Sequence, residues 1–234
     1  MYPVVAAGID LSGRTTGTTA IAWVEGRPPR VAEVRSGGRF RGERGDAEIV
    51  DALLARRPGV VALDAPLGLP HSVVCTDPNC TVCFPADGSV PSYGSRAVDG
   101  AEAWASVRHA EKAPMPTVMV AAIAFRAIYL RRLLSKEGVE VIETWPMGVF
   151  RAIARNAARA ASGRDGDDSW RRALLASVVG DLPGDGCGRD VLDAVAAAYA
   201  GWCRLAGTAV EVRADGPLDE EGSIWIPQSS PAKP

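Results

Sequence analysis

Three apolar stretches of this 234-residue chain each end in an acid: Asp10 after Val4–Ile9, Asp64 after Val60–Leu63, and Glu143 after Val139–Ile142. A carboxylate beside an apolar strand loses hydration, and several converging on one sheet edge raise one another's pKa. A divalent cation removes that conflict, and oxygen ligands of this kind suit Mg²⁺ or Mn²⁺. Asp190 and Asp193 stand at i, i+3 spacing, which puts both on one face of a helix and within reach of the same metal site. Simpler roles compete at each position. Asp10 and Asp64 also fit turn-capping residues, Asp190 a helix N-cap with Asp193 as a first-turn acid, and Glu143 a structural ion pair with an arginine such as Arg151.

A second group with chemical potential is His71, Cys75, Cys80 and Cys83, a His-x3-Cys-x4-Cys-x2-Cys run with Pro78 and Asn79 available to turn the chain. Zinc takes four nitrogen or sulfur ligands in a tetrahedron, which three cysteines and a histidine supply. At this level the fourth ligand is open among His71, Cys187 and His109. The Cys-x4-Cys-x2-Cys spacing also matches the plant-type ferredoxin pattern, so an iron–sulfur cluster is a rival, and metal-free thiols are a third reading. His109 equally fits a solvated polar turn. Cys203, beside Trp202, reads as a buried helix residue.

The elements that must position these groups follow from hydrophobic patterning. Val4–Leu11, Thr18–Val24 and Val31–Arg35 read as three strands, and Ala47–Leu54 has helical spacing that leads into a buried strand at Val60–Asp64, stopped by Pro66. Residues 66–116 are rich in Pro, Gly, Ser, Cys and Asp without a sustained period, and are expected to form an ordered insertion outside the core. Beyond them the pattern predicts a helix over Thr117–Lys136, a strand at Val139–Glu143, helices around Met147–Ala161, Ser169–Val179 and Asp190–Leu205, and a hairpin of Ala209–Arg213 with Ser223–Pro227. This order predicts one α/β domain over residues 1–228, with three antiparallel N-terminal strands extended by parallel crossovers and flanked by helices, and a frayed tail at 229–234.

A formal net charge of −2 gives no global attraction for nucleic acid. Any such partner must use local patches, of which the arginine-rich stretch Arg126–Arg172 is one candidate, with solvated helix faces as the bland alternative. No apolar run reaches the roughly 20 residues a membrane-spanning helix needs. With no such run and no charged n-region or cleavage site at Met1–Val5, a cytoplasmic setting is expected, in which five cysteines, three of them bunched, suggest metal or reduced thiols more than disulfides; oligomeric state is left open.

The motifs Gly8-Ile9-Asp10-Leu11-Ser12-Gly13, Ala62-Leu63-Asp64-Ala65-Pro66-Leu67-Gly68-Leu69-Pro70, Val141-Ile142-Glu143-Thr144-Trp145-Pro146, Asp190-Val191-Leu192-Asp193-Ala194 and Glu221-Gly222-Ser223-Ile224-Trp225-Ile226-Pro227 resemble, in order, the domain of unknown function 429 family. The resemblance implies an RNase H-like fold and a nuclease-type metal site in which Asp10, Asp64 and Asp193 match the family's acids. The late Asp-x-x-Asp is similar to the final helix of Holliday-junction resolvases of that fold, which brings in Asp190. The cysteine set is a local elaboration. The expected activity is phosphodiester hydrolysis by two metal ions bridged by Asp10, with Asp64, Glu143, Asp190 and Asp193 completing the site and Thr15, Thr16 and Thr18 near phosphate. Two alternatives are a non-catalytic module binding metal or nucleic acid, and an actin-like ATPase suggested by the Gly8–Gly13 turn with its threonines.

Overall fold

Alternation along the first apolar run divides its side chains between two layers. In β1 (Val5–Asp10) Ala7 and Ile9 join one buried cluster, while Ala6, Gly8 and Asp10 take the opposite face. The protein is described from a computed structural model covering residues 4–13, 18–40, 42–89, 92–100, 104, 117–156, 167–213 and 221–228.

Strand β2 (Thr19–Glu25) lies antiparallel to β1, and β3 (Arg30–Gly37) antiparallel to β2. Helix α1 (Gly42–Arg56) then crosses to β4 (Val60–Asp64), which runs parallel to β1 with Asp64 opposite Asp10. After the short α2 (His71–Val74) and the long α3 (Ala121–Lys136), β5 (Glu140–Glu143) runs parallel to β4. Helices α4 (Pro146–Asn156), α5 (Asp168–Ala176) and α6 (Arg189–Ala206) precede an antiparallel hairpin of β6 (Ala209–Val212) and β7 (Ile224–Pro227). The hairpin joins the sheet where Ile224 meets Glu143 in parallel, giving the order β3-β2-β1-β4-β5-β7-β6. An antiparallel trio extended by parallel crossovers, with helices on both faces, is an RNase H-like fold.

On one face α1 and α3 cover Ala7, Ile9, Ile21, Trp23, Val61 and Leu63 with Ile49, Leu53, Leu130 and Leu134. On the other, α4, α5 and α6 cover β2 and the C-terminal hairpin. Helix α6 lies closest to the sheet because its inner face is built of Ala194, Ala197, Ala198 and Gly201. Gly8 sits directly beneath it: a Cβ there would fall 2.0 Å from the Ala198 nitrogen and 2.3 Å from the Ala194 carbonyl oxygen. Backbone cannot yield as a flexible side chain does, so Gly8→Ala is expected to cost about 3 kcal/mol or more, read as a lowered urea midpoint.

Three expectations need correction. The 66–116 segment does enter the core, since Val98 and Trp104 are fully buried and Arg96 and Asp99 nearly so. Its irregular period hid this because it contributes single side chains rather than an element face. The basic stretch is not simply a charged surface either. Arg126 is 1% exposed and donates from Nε to Asp46 (2.6 Å) and from its terminal nitrogens to the Ser12 carbonyl (2.8 Å) and the Phe40 carbonyl (2.6 Å). It ties α3 to the turn after β1, a use that suits a guanidinium with its fixed fork of donors. The predicted helix at Thr117 also opens as a 3-10 turn over Thr117–Val120 before becoming α-helical.

Candidate active site and metal cluster

Asp10 and Asp64 emerge side by side from adjacent parallel strands, two residues beyond Gly8 and Ala62, on the face that α6 covers. The close seat of α6 brings Asp193, on its second turn, over the same strand ends. Together with Glu143, Asp99, Arg96 and Arg171 they line one cavity of about 270 Å³, walled also by Pro66, Val120, Ile123, Trp145 and Met147. Five acids against two arginines line it, and both arginines are already engaged.

Arg171, on α5, bonds Asp193 and lies 5.1 Å over the Phe150 ring. Arg96 makes a two-pronged pair with Glu143 at 2.7 and 2.6 Å and also holds Asp99 at 2.7 Å. Glu143 further accepts the Leu67 amide at 2.8 Å, so β5 and two points of the 66–116 segment meet on one carboxylate. Glu143 is thus ion-paired, with Arg96 as its partner rather than Arg151, whose guanidinium lies over Trp145.

Burial, reinforced by Asp193 and Asp190 and opposed by Arg171, pushes the Asp10 carboxyl up to about 7. Burial, with Asp10 and Asp193 adding repulsion, holds Asp64 well above the usual carboxylate range. Asp193 is raised by burial despite Arg171, and Glu143 by burial against the pull of Arg96. Crowded acids of this kind are a donor set for hard divalent cations, which would offset their repulsion. Asp190 is half-buried in the first turn of α6, and the N-cap is Gly188, not Asp190. It is not among the cavity's lining residues and acts on Asp10 through charge.

In the insertion, α2 carries His71 toward Cys75, Cys80 and Cys83, and one ligand atom from each of the four lies within 4.8 Å of all the others. The His71 Nε2 is 3.3 Å from the Cys80 sulfur, and this bond lowers the Cys80 thiol to about 6. Partial loss of hydration and the neighbouring thiols push Cys83 up to about 12. The set matches the donors of a tetrahedral metal site. Cys187 lies elsewhere, its sulfur 3.0 Å from an Arg172 nitrogen, and Cys203 is buried in α6. His109, Thr15 and Thr16 lie outside the described residues, and Thr18 is half-buried at the foot of β2.

Residues 8–217 match the family described as "Protein of unknown function (DUF429)". The chain is a member of the DUF429 family. Among solved structures, this DUF429 protein is similar to T. thermophilus RuvC in complex with a Holliday junction substrate, at 17% identity and a TM-score of 0.41, covering 88% of this chain and 97% of that one. No curated protein matches it. Among the described residues no helix is long and apolar enough to cross a membrane.

Sequence patterning did not single out Arg96, Asp99 or Glu221 in this DUF429 chain, and it named Arg171 only as part of a basic stretch. Arg96-x-x-Asp99 was visible as a charge pair, but in a Pro- and Gly-rich segment such a pair reads as solvated. Glu221 was visible only as a member of the closing motif, whereas in the fold its carboxylate accepts the amides of His71 and Ala97.

Proposed function

We propose that this protein is a metal-dependent nuclease. The observation that carries this reading is the pair Asp10 and Asp64, in register on adjacent parallel strands, with Asp193 facing them across one negatively charged cavity. Asp10, Asp64 and Asp193 would hold Mg²⁺ or Mn²⁺, which supplies activated water and stabilises the leaving oxygen when bound. Asp190 tunes the field at Asp10, and Arg96 orients Glu143 at the rim. Arg171 restrains Asp193 and offsets part of the negative charge. The aliphatic and aromatic walls, Val120, Ile123, Trp145 and Met147, limit water beside the acids. The substrate is a nucleic-acid phosphodiester, and Zn²⁺ is the ion assigned to the His71/Cys75/Cys80/Cys83 cluster, because one histidine with three cysteines is a zinc donor set and His71 fills the place a fourth cysteine would take in an iron–sulfur site.

The test is a cleavage screen in Mn²⁺ with single-stranded, duplex and branched DNA and RNA. Wild-type cleavage is expected to fall by more than about 100-fold in Asp10→Asn and Asp193→Asn, since loss of outer partners of a metal site alone costs 10–100-fold. Retained activity in Asp10→Asn overturns the assignment. Tight Mn²⁺ binding with no cleavage of any substrate favours a metal-loaded binding module instead.

A further inference from the structure

Residues 71–89 fold without a core of their own. None of them is buried, and Val73, Val74 and Phe84 are 55%, 48% and 65% exposed. Helix α2 is a single turn whose N-cap residue, Pro70, offers it no side-chain hydrogen bond. Apolar burial therefore does not hold this segment; beyond hydrogen bonds such as Ser72 Oγ to the Ser92 carbonyl at 2.7 Å, the convergent His/Cys cluster is the feature able to do so, as in small domains that fold only around zinc.

The cluster is also wired to the acid cavity. The backbone amide of His71 donates to one carboxylate oxygen of Glu221, and the amide of Ala97 donates to the other. The Glu221 carbonyl accepts from Arg96 at 3.2 Å, and Arg96 grips Glu143. Gly68 presses against the same stretch of backbone, where a Cβ would lie 2.1 Å from the Glu221 oxygen. One buried glutamate thus links a cluster residue, the loop holding Arg96 and the wall of the cavity.

We infer that zinc bound by His71, Cys75, Cys80 and Cys83 acts as a positioning element for the acid cavity, holding Arg96 and Glu143 in place through Glu221. This rests on the zinc assignment above and goes beyond it. With the metal bound, α2 presents the His71 amide to Glu221. Without it, a single turn with no core of its own loses its geometry, Glu221 loses one of its two anchors, and the Arg96–Glu143 pair loosens. The nuclease's rim would then depend on a metal that takes no part in its chemistry.

The experiment measures zinc content by mass spectrometry of the full-length protein, then backbone hydrogen exchange before and after a zinc-selective chelator in excess Mg²⁺. One zinc per chain is expected. On its removal, protection at Leu67 and Ala97 should drop about tenfold or more while β2 and α1 keep theirs, and Zn²⁺ but not Mg²⁺ should restore it. Glu221→Gln should keep its zinc yet show reduced protection at Ala97 even when loaded. A protein that neither contains nor takes up zinc overturns the metal assignment itself. Zinc loss that exposes only residues 71–89, or that unfolds the whole sheet equally, overturns the coupling alone, as does a zinc-loaded Glu221→Gln that exchanges like wild type.

Discussion

At pH 8 and without divalent metal, Asp10→Asn will melt at a higher temperature than the wild-type protein. Folding raises the Asp10 carboxyl from 3.8 to about 7, chiefly through burial and then through Asp193 and Asp190. Between those values the folded state binds the extra proton, so stability falls as pH rises through that window and the full loss is present above about pH 7. A shift of that size corresponds to at most about 4 kcal/mol, or roughly 10 °C in a chain of this length. Asparagine keeps the shape and removes the charge, so the variant escapes the loss. Below about pH 4 the two proteins should converge. Mn²⁺ held at Asp10, as proposed, would reverse the logic by stabilising the ionised carboxylate: at 100 times its Kd it would add about 2.7 kcal/mol to the wild type and little to the variant. Melting curves from pH 4 to 9, with and without Mn²⁺, read all of this. An Asp10→Asn protein that melts below wild type across the whole metal-free range removes the electrostatic account of the cavity.

The second large effect belongs to Arg96. Its guanidinium and the carboxylates of Asp99 and Glu143 are each at least 95% removed from solvent, and Arg96 is the cation common to both acids. Arg96→Met keeps most of the volume but strands two buried negative charges, which costs about 3–5 kcal/mol when one partner of a buried pair is removed. Urea unfolding should show this directly. Adding Glu143→Gln to Arg96→Met should recover part of the loss, since one stranded charge is then gone, and lowering the pH should narrow the gap to wild type by neutralising Glu143. If the single variant loses less than about 1 kcal/mol, the pair is not what anchors the rim. If the double variant is worse than the single one, the stranded charge is not the cause.

The centre of the sheet was readable in advance because β1, β2 and β4 are buried on both faces and so appear as unbroken apolar runs closed by turn residues. Val60–Asp64 has the predicted bounds, and Val4–Leu11 and Asp190–Leu205 differ from the observed elements by a residue at each end. The acids at the ends of those runs were legible for the same reason, since a charge closing an apolar run interrupts it visibly. Partnership was not legible. Glu143 finds Arg96 across 47 residues, and Asp193 finds Arg171 on a neighbouring helix, through contacts that no local period records. The arginines of the 126–172 stretch show the limit most clearly: sequence fixes their charge, but Arg126 and Arg171 are buried because acids from distant segments meet them inside.

For the cysteine segment, spacing was enough to nominate His71, Cys75, Cys80 and Cys83, because ligands a few residues apart can converge on one ion whatever the surrounding fold. It left the fourth position open among His71, Cys187 and His109. Folding brings His71 into the group and holds Cys187 beside Arg172. The motifs likewise sufficed for family membership, since an ordered series along one chain needs no coordinates. What only the tertiary structure decided is that Asp10 and Asp64 stand in register, that α6 approaches closely enough over Gly8 to bring Asp193 to them, and that Glu221 joins the cysteine cluster to the same cavity. Each depends on distances between segments far apart in the chain, which are set by how the layers pack rather than by the residues at the contact alone.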